Sequence, residues 1–347
     1  MLGLILAAVL DVQASVVIES LQPRHTFELA ERKVGYARDT QYEYLATSNG
    51  LYRAQRLAAG PLELMPAAGA PLNGAGVDAD GALYVFRGLS WHAHWDAPTL
   101  LRSMDAGVTF DASPSTGLLD CSLAPQYPCG YVVPTRISFG HDRIFLVASD
   151  NLIVSGDRAA TWNVLIGGSN GPTPITCPTA FERIGARLLY GTECPLDDAW
   201  LGVGTLRDDL LGWREPLHRL QTPPMGNRMV QFVRHVGDGV VFAGTEGGLL
   251  KSTDGGLTYR FVIYHPLSGG TIYPYIQHLV QRGPLLVAGG FDKANDAGYL
   301  AYSTNSGESW VDVSHLVGAE HVVMLELDAA GRLLIGLYRD ARFTLAE

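Results

Sequence analysis

The chain has 347 residues, with 35 acidic against 25 basic side chains and a formal net charge of −10. Only Lys33, Lys251 and Lys293 are lysines, so no basic stripe is present to neutralise a phosphate backbone, and nucleic acid is excluded as a partner. No run of 18 apolar residues occurs, which leaves no helical membrane span, while 40 glycines and short Val/Ile/Leu/Tyr/Phe runs between Gly, Asp and Asn turns predict an all-β chain.

In chain order, Leu2 to Leu10 is uninterrupted apolar sequence followed by Val12-Gln13-Ala14, the small-x-small pattern of a signal-peptidase site. Residues 1–14 read as an export signal, with a buried strand as the alternative, and 15–347 as a single domain. The four cysteines fall as two close pairs, in keeping with a periplasmic or extracellular location. Cys121 and Cys129 enclose a Pro-containing loop. Cys177 and Cys194 bracket a hairpin turning at Gly185-Ala186, so a bridge there is geometrically natural. Neither pair has zinc-ligand spacing, and no metal or cofactor is expected.

Four octapeptides share the pattern Ser-x-Asp/Asn-x-Gly-x-Thr/Ser-aromatic: Ser103 to Phe110, Ser155 to Trp162, Ser252 to Tyr259 and Ser303 to Trp310. The second carries Ala159 in place of Gly, and the fourth carries Asn305 in place of Asp. A short acidic side chain can accept hydrogen bonds from its own turn, Gly supplies positive φ, and the aromatic packs beneath the next strand. Four near-identical copies suit a structural role. Their third positions, Asp105, Asp157, Asp254 and Asn305, are 52, 97 and 51 residues apart, and Leu206 to Trp213 stands in the gap with an acidic residue and the aromatic retained.

Tight turns at Arg38-Asp39-Thr40, Asp80-Gly81, His141-Asp142, Gly185-Ala186, Asp238-Gly239, Arg282-Gly283 and Ala330-Gly331 repeat at about the same period, near the size of a propeller blade. The expectation is a seven-bladed β-propeller of four-stranded antiparallel blades. The tight turn joins the first two strands of each blade and the octapeptide joins the last two. The last unit runs out of chain after Arg342 to Glu347, so Ser15 to Ser20 is expected to supply its fourth strand and close the ring at the N-terminus.

The octapeptides resemble the Asp box, the bacterial neuraminidase repeat, of a superfamily that includes sialidases, sortilin-type receptors, xyloglucan-degrading hydrolases and photosystem assembly factors. The resemblance covers most of the chain and implies a shared scaffold rather than a shared reaction. It also implies that ligands bind at the face opposite the boxes.

The longest insertion expected on that face holds Trp91, His92, His94, Trp95 and Asp96, a loop suited to stacking on sugar rings or aliphatic protein surfaces, or to plugging the propeller mouth. Arg136, Arg228, Tyr273, Tyr275, Glu193, Asp197, Asp198, Glu246, Asp292 and Asp296 are expected on the same face. The sialidase resemblance implies an arginine cluster, a Tyr nucleophile and an assisting Glu, for which Arg136, Arg228, Tyr275 and Glu246 are the candidates. The sialidase motif Phe/Tyr-Arg-Ile/Val-Pro is missing, however, and the nearest text is Thr135-Arg136-Ile137-Ser138. The leading expectation is therefore an exported, monomeric, non-catalytic binder of a glycan or protein. A sialidase-like glycoside hydrolase and an assembly factor for a membrane complex are the alternatives.

Overall fold

A computed structural model describes residues 4–8, 23–28, 32–56, 61–87, 100–118, 134–140, 143–148, 151–167, 178–192, 199–223, 229–264, 274–327 and 332–338. Two compact units are formed, one from Val34–Leu220 and the other from Met1–Lys33 with Gln221–Glu347.

The chain begins with β1 (Leu4–Ala8) and β2 (Pro23–Glu28), which are used only at the end of the fold. The first meander is β3 (Lys33–Arg38), β4 (Tyr42–Thr47), β5 (Gly50–Gln55) and β6 (Glu63–Met65). The second is β7 (Leu72–Val77), β8 (Leu83–Arg87) and β9 (Leu100–Ser103), followed by the short helix α1 (Ser113–Leu118). The third is β10 (Pro134–Gly140), β11 (Arg143–Ala148), β12 (Asn151–Ser155) and β13 (Asn163–Ile166). The fourth is β14 (Pro178–Ile184), β15 (Arg187–Thr192), β16 (Leu201–Leu206) and β17 (Trp213–Arg219).

The second unit contains β18 (Val230–Gly237), β19 (Val240–Thr245), β20 (Gly248–Ser252) and β21 (Arg260–Ile263), then β22 (Tyr275–Arg282), β23 (Leu285–Asp292), β24 (Ala297–Ser303) and β25 (Val311–Asp312). Its last sheet joins β26 (His321–Leu327) and β27 (Leu333–Tyr338) to the N-terminal strands in the order β2-β1-β27-β26.

Two expectations are corrected here. Six sheets are four-stranded, whereas the second meander has only three strands among the described residues, so the four-stranded blades number six and not seven. After its octapeptide, Asp111 makes a single isolated bridge to Arg102. Asp111 Oδ1 then accepts the amide of Ser113 at 2.8 Å, and Pro114, which has no amide to donate, follows in α1. The chain thus turns into a helix where a fourth strand would run.

The second correction concerns the terminal sheet. The strand beside β27 is Leu4–Ala8, in register Ile5↔Gly336 to Ala8↔Leu333, and Pro23–Glu28 lies outside it. Ser15 to Ser20 and Arg342 to Glu347 lie outside the described residues.

The inner strands are buried on both faces, which explains their continuous apolar sequence. Along β11, Ile144, Leu146 and Ala148 pack with Tyr84, Phe86 and Leu100 of the second meander, while the alternate residues Phe145 and Val147 pack with Leu188, Tyr190 and Leu217 of the fourth. Period-two alternation therefore distributes one strand between two cores.

Candidate functional site

In an antiparallel meander the first-to-second and third-to-fourth turns share one end of the sheet. The second-to-third hairpin and the entry of the first strand share the other. The octapeptides occupy third-to-fourth positions, as between β12 and β13, β20 and β21, and β24 and β25. All four fold alike. The Ser hydroxyl donates to Asp105, Asp157, Asp254 or Asn305 at 2.7 to 2.8 Å and accepts the amide of the fifth residue at 2.8 to 2.9 Å. The amide of the seventh residue donates back to the third at 2.8 to 3.0 Å.

In the three aspartate copies the Thr hydroxyl donates to the carboxylate at 2.6 Å. With Asn305 the polarity reverses, because Nδ2 donates to Ser309 Oγ at 2.9 Å. These bonds set the acidity of the carboxylates. Thr109 lowers Asp105 to about 2, helped by Ser103. For Asp157 and Asp254 burial pushes upward, but the hydroxyl and amide of Thr161 and Thr258 outweigh it and leave both below the usual aspartate range. Every aspartate is consumed by its own turn, as a structural role requires.

Leu206 to Trp213 makes the turn by other means: Arg207 pairs with Asp209 at 3.0 Å, and Trp213 Nε1 donates to the Leu165 carbonyl at 2.7 Å.

At the opposite sheet ends stand the described candidates. Glu246 lies in the β19–β20 hairpin and Tyr275 opens β22, and an isolated antiparallel bridge joins them. Tyr275 packs edge-on against Phe291 with ring centroids 4.6 Å apart, and Phe291 stacks on His321 at 4.7 Å. His321 is buried, with Nε2 3.6 Å from Asp296 Oδ1. The result is a row of carboxylate, phenol, two stacked rings and a second carboxylate, with Asp292 at the edge of the same hairpin as Asp296. Such aromatic pairs are worth about 0.5–1.5 kcal/mol each beyond area burial.

Sequence reading does not single out Phe291 or His321. The signal for His321 is one of register, since it opens its strand as Tyr275 opens the strand one unit earlier. Asn151 also carries no local signal: it is buried at the same type of sheet end, and neither atom of its amide has a hydrogen-bond partner among the described residues.

Arg136 lies on β10, in the other compact unit from Tyr275 and Glu246. Trp91, His92, His94, Trp95, Asp96, Glu193, Asp197, Asp198, Arg228, Tyr273, Cys121, Cys129, Cys177 and Cys194 lie outside the described residues. Among the described residues, no group of three or more His, Cys, Asp or Glu is placed to hold a metal ion, and no helix is long and apolar enough to cross a membrane.

No family model matches the chain, and no curated protein matches it by sequence. Solved structures do. YCF48 bound to D1 peptide aligns over 89% of this chain and 92% of its own, with a TM-score of 0.57 at 13% identity. A GH74 xyloglucanase from Xanthomonas campestris aligns over 92% of this chain and 53% of its own, at 0.60 and 16%. The extracellular domain of the putative hybrid two-component system BT3049 from B. thetaiotaomicron aligns over 91% of this chain and 40% of its own, at 0.60 and 11%. These likenesses, with the sheet topology, define the class of fold: an all-β propeller of four-stranded antiparallel blades. At such identities they define nothing finer.

Proposed function

We propose that the chain is an exported β-propeller that binds a protein or glycan partner without turnover at the sheet ends opposite the octapeptides, and that the octapeptides are Asp boxes. The observation that carries this reading is the row from Glu246 through Tyr275, Phe291 and His321 to Asp296, in which the partly exposed Glu246, Tyr275 and Asp296 stand at those ends around the buried rings of Phe291 and His321. The peptide bound by the similar YCF48 structure supports a protein partner, and the extracellular domain of BT3049 supports export. In this reading the loop Trp91 to Asp96 supplies further contact surface, and Cys121–Cys129 and Cys177–Cys194 are bridges.

The test is a peptide and glycan array, run beside a chromogenic-glycoside screen, on the monomeric exported chain. Binding without hydrolysis is expected, lost in a Trp91→Ala, Trp95→Ala double variant and weakened by Tyr275→Ala. Unchanged binding in all of these variants would sink the proposal.

The glycosidase reading keeps one favourable observation, the bridge that sets Tyr275 beside Glu246. It requires turnover that both Tyr275→Phe and Glu246→Gln abolish. The third reading, an assembly factor, requires cross-linking to a membrane complex in cells.

A further inference from the structure

A cleft of about 410 Å³ opens at the octapeptide end of the second and third sheets, away from the ends considered above. Val77, Phe139 and Ile144 give it apolar walls, and Arg143, Arg158 and Asp80 stand among its polar residues. Its size falls in the range of small-ligand pockets.

The polar groups are not equivalent. Asp78, also in the lining, spends Oδ1 on the amides of Asp80 and Ala82 in its own turn. Arg143 Nε donates to the backbone carbonyl of Asp209 at 3.0 Å, and its charge also helps to lower the Asp209 carboxyl, so this guanidinium is engaged by the Asp209 turn. Arg158 reaches across to Asp80 at 2.7 Å, yet the two side chains are 71% and 59% exposed. An ion pair so wet contributes little to stability and exchanges readily for another carboxylate.

The backbone fixes where the Arg158 side chain starts. Arg158 and Ala159 have φ of 60° and 70°, and this is the one octapeptide of the four with glycine at neither left-handed position. Arg158 is thus held at the lip of the cleft in the left-handed conformation that Ala106 and Ser306 adopt at the same octapeptide position.

We propose that this cleft binds an apolar carboxylate, with the carboxylate taking the place of Asp80 on Arg158 and the apolar body lying on Phe139 and Ile144. A free aryl or alkyl acid and the C-terminal residue of a peptide share this chemistry.

The test is calorimetric titration of the full chain with phenylacetate, with phenylacetamide, and with a short peptide ending in phenylalanine whose C-terminus is free or amidated. Saturable binding of the carboxylates and not of the amides is expected. Asp80→Asn should tighten binding several-fold by releasing Arg158. Arg158→Gly should weaken it about tenfold without lowering the melting temperature, because glycine relieves the left-handed strain. Tighter binding of the peptide assigns the occupant to a chain terminus, and tighter binding of phenylacetate assigns it to a free acid. Absence of saturation, equal binding of the amides, or unchanged affinity in Arg158→Gly would overturn the proposal.

Discussion

Lys251 Nζ lies 2.7 Å from the carbonyl oxygen of Ser306 and 2.5 Å from Glu308 Oε1, so a buried lysine on β20 holds the fourth residue of the octapeptide in the following sheet. The relationship recurs. Arg53 donates to the Ala106 carbonyl at 2.8 Å, Arg102 to that of Arg158 at 3.5 Å, and Arg143 to that of Asp209 at 3.0 Å. Each acceptor is the fourth residue of its octapeptide, or of the Leu206 to Trp213 turn. A cation from one sheet therefore latches the turn of the next.

Burial ranks these latches. Lys251→Met should lower stability by about 1–3 kcal/mol, since the Ser306 carbonyl loses its charged donor while Glu308 keeps Arg260. Arg102→Met, which removes a longer and more exposed contact, should change it by about 0.5 kcal/mol. Urea unfolding midpoints compare the two, and equal losses would refute the ranking.

Gly107 and Gly307 occupy the same octapeptide position at φ of 86° and 78°. A Cβ on Gly107 would meet Leu83 at 3.5 Å, an ordinary contact, whereas on Gly307 it would lie 2.5 Å from Phe242 Cζ. Gly107→Ala should cost only the left-handed strain, about 1–2 kcal/mol. Gly307→Ala should add about 1–3 kcal/mol of overpacking. Thermal unfolding of the two variants separates strain from clash.

Acid should unfold the chain through its octapeptides. Asp105, Asp157 and Asp254 all titrate lower in the folded chain than the ordinary value of about 3.9, with Asp105 at about 2. Their stabilisation is complete above pH of about 4 and is lost as pH falls toward about 2. Asn305 shows that an amide fits the same turn without titrating. Asp105→Asn should consequently flatten the dependence of the unfolding midpoint on pH over that window, and an unchanged slope would show that other groups govern it.

Export makes two covalent predictions. Processing after Ala14 would remove Leu4–Ala8 and leave β27 without its β1 partner, so the mass of the exported chain reports directly whether the N-terminal run is discarded or kept as a strand. Without reduction, alkylation of the denatured chain should label none of the four cysteines if both bridges form.

Much of the scaffold was legible because its chemistry is local. In each octapeptide donor and acceptor are at most four residues apart, so Ser155 and Asp157 announce their turn within a single stretch of sequence. Strands such as β11 are apolar from Ile144 to Ala148 because each face meets a different core. The latches were not legible, since nothing near Arg53 marks a carbonyl 53 residues away. The run Leu4–Ala8 has the composition of a targeting segment and of a strand alike, and its pairing with Leu333–Gly336, at the other end of the sequence, has no local signal. Tyr275 and Glu246 stand out as candidates by residue type, but their adjacency depends on two sheets meeting. The partners Phe291 and His321 carry no local signature.

The sheet that unites β1 and β2 with β26 and β27 also imposes an order of events. Its strands come from residues 4–28 and 321–338, so its contacts close loops of almost the whole chain, the slowest class of contact to form. The other meanders are built from neighbours in sequence and can assemble as the polypeptide emerges. This one must wait for the last strands to appear. Until then the first strand has no partner to pair with, so this sheet closes only after residues 321–338 have been made.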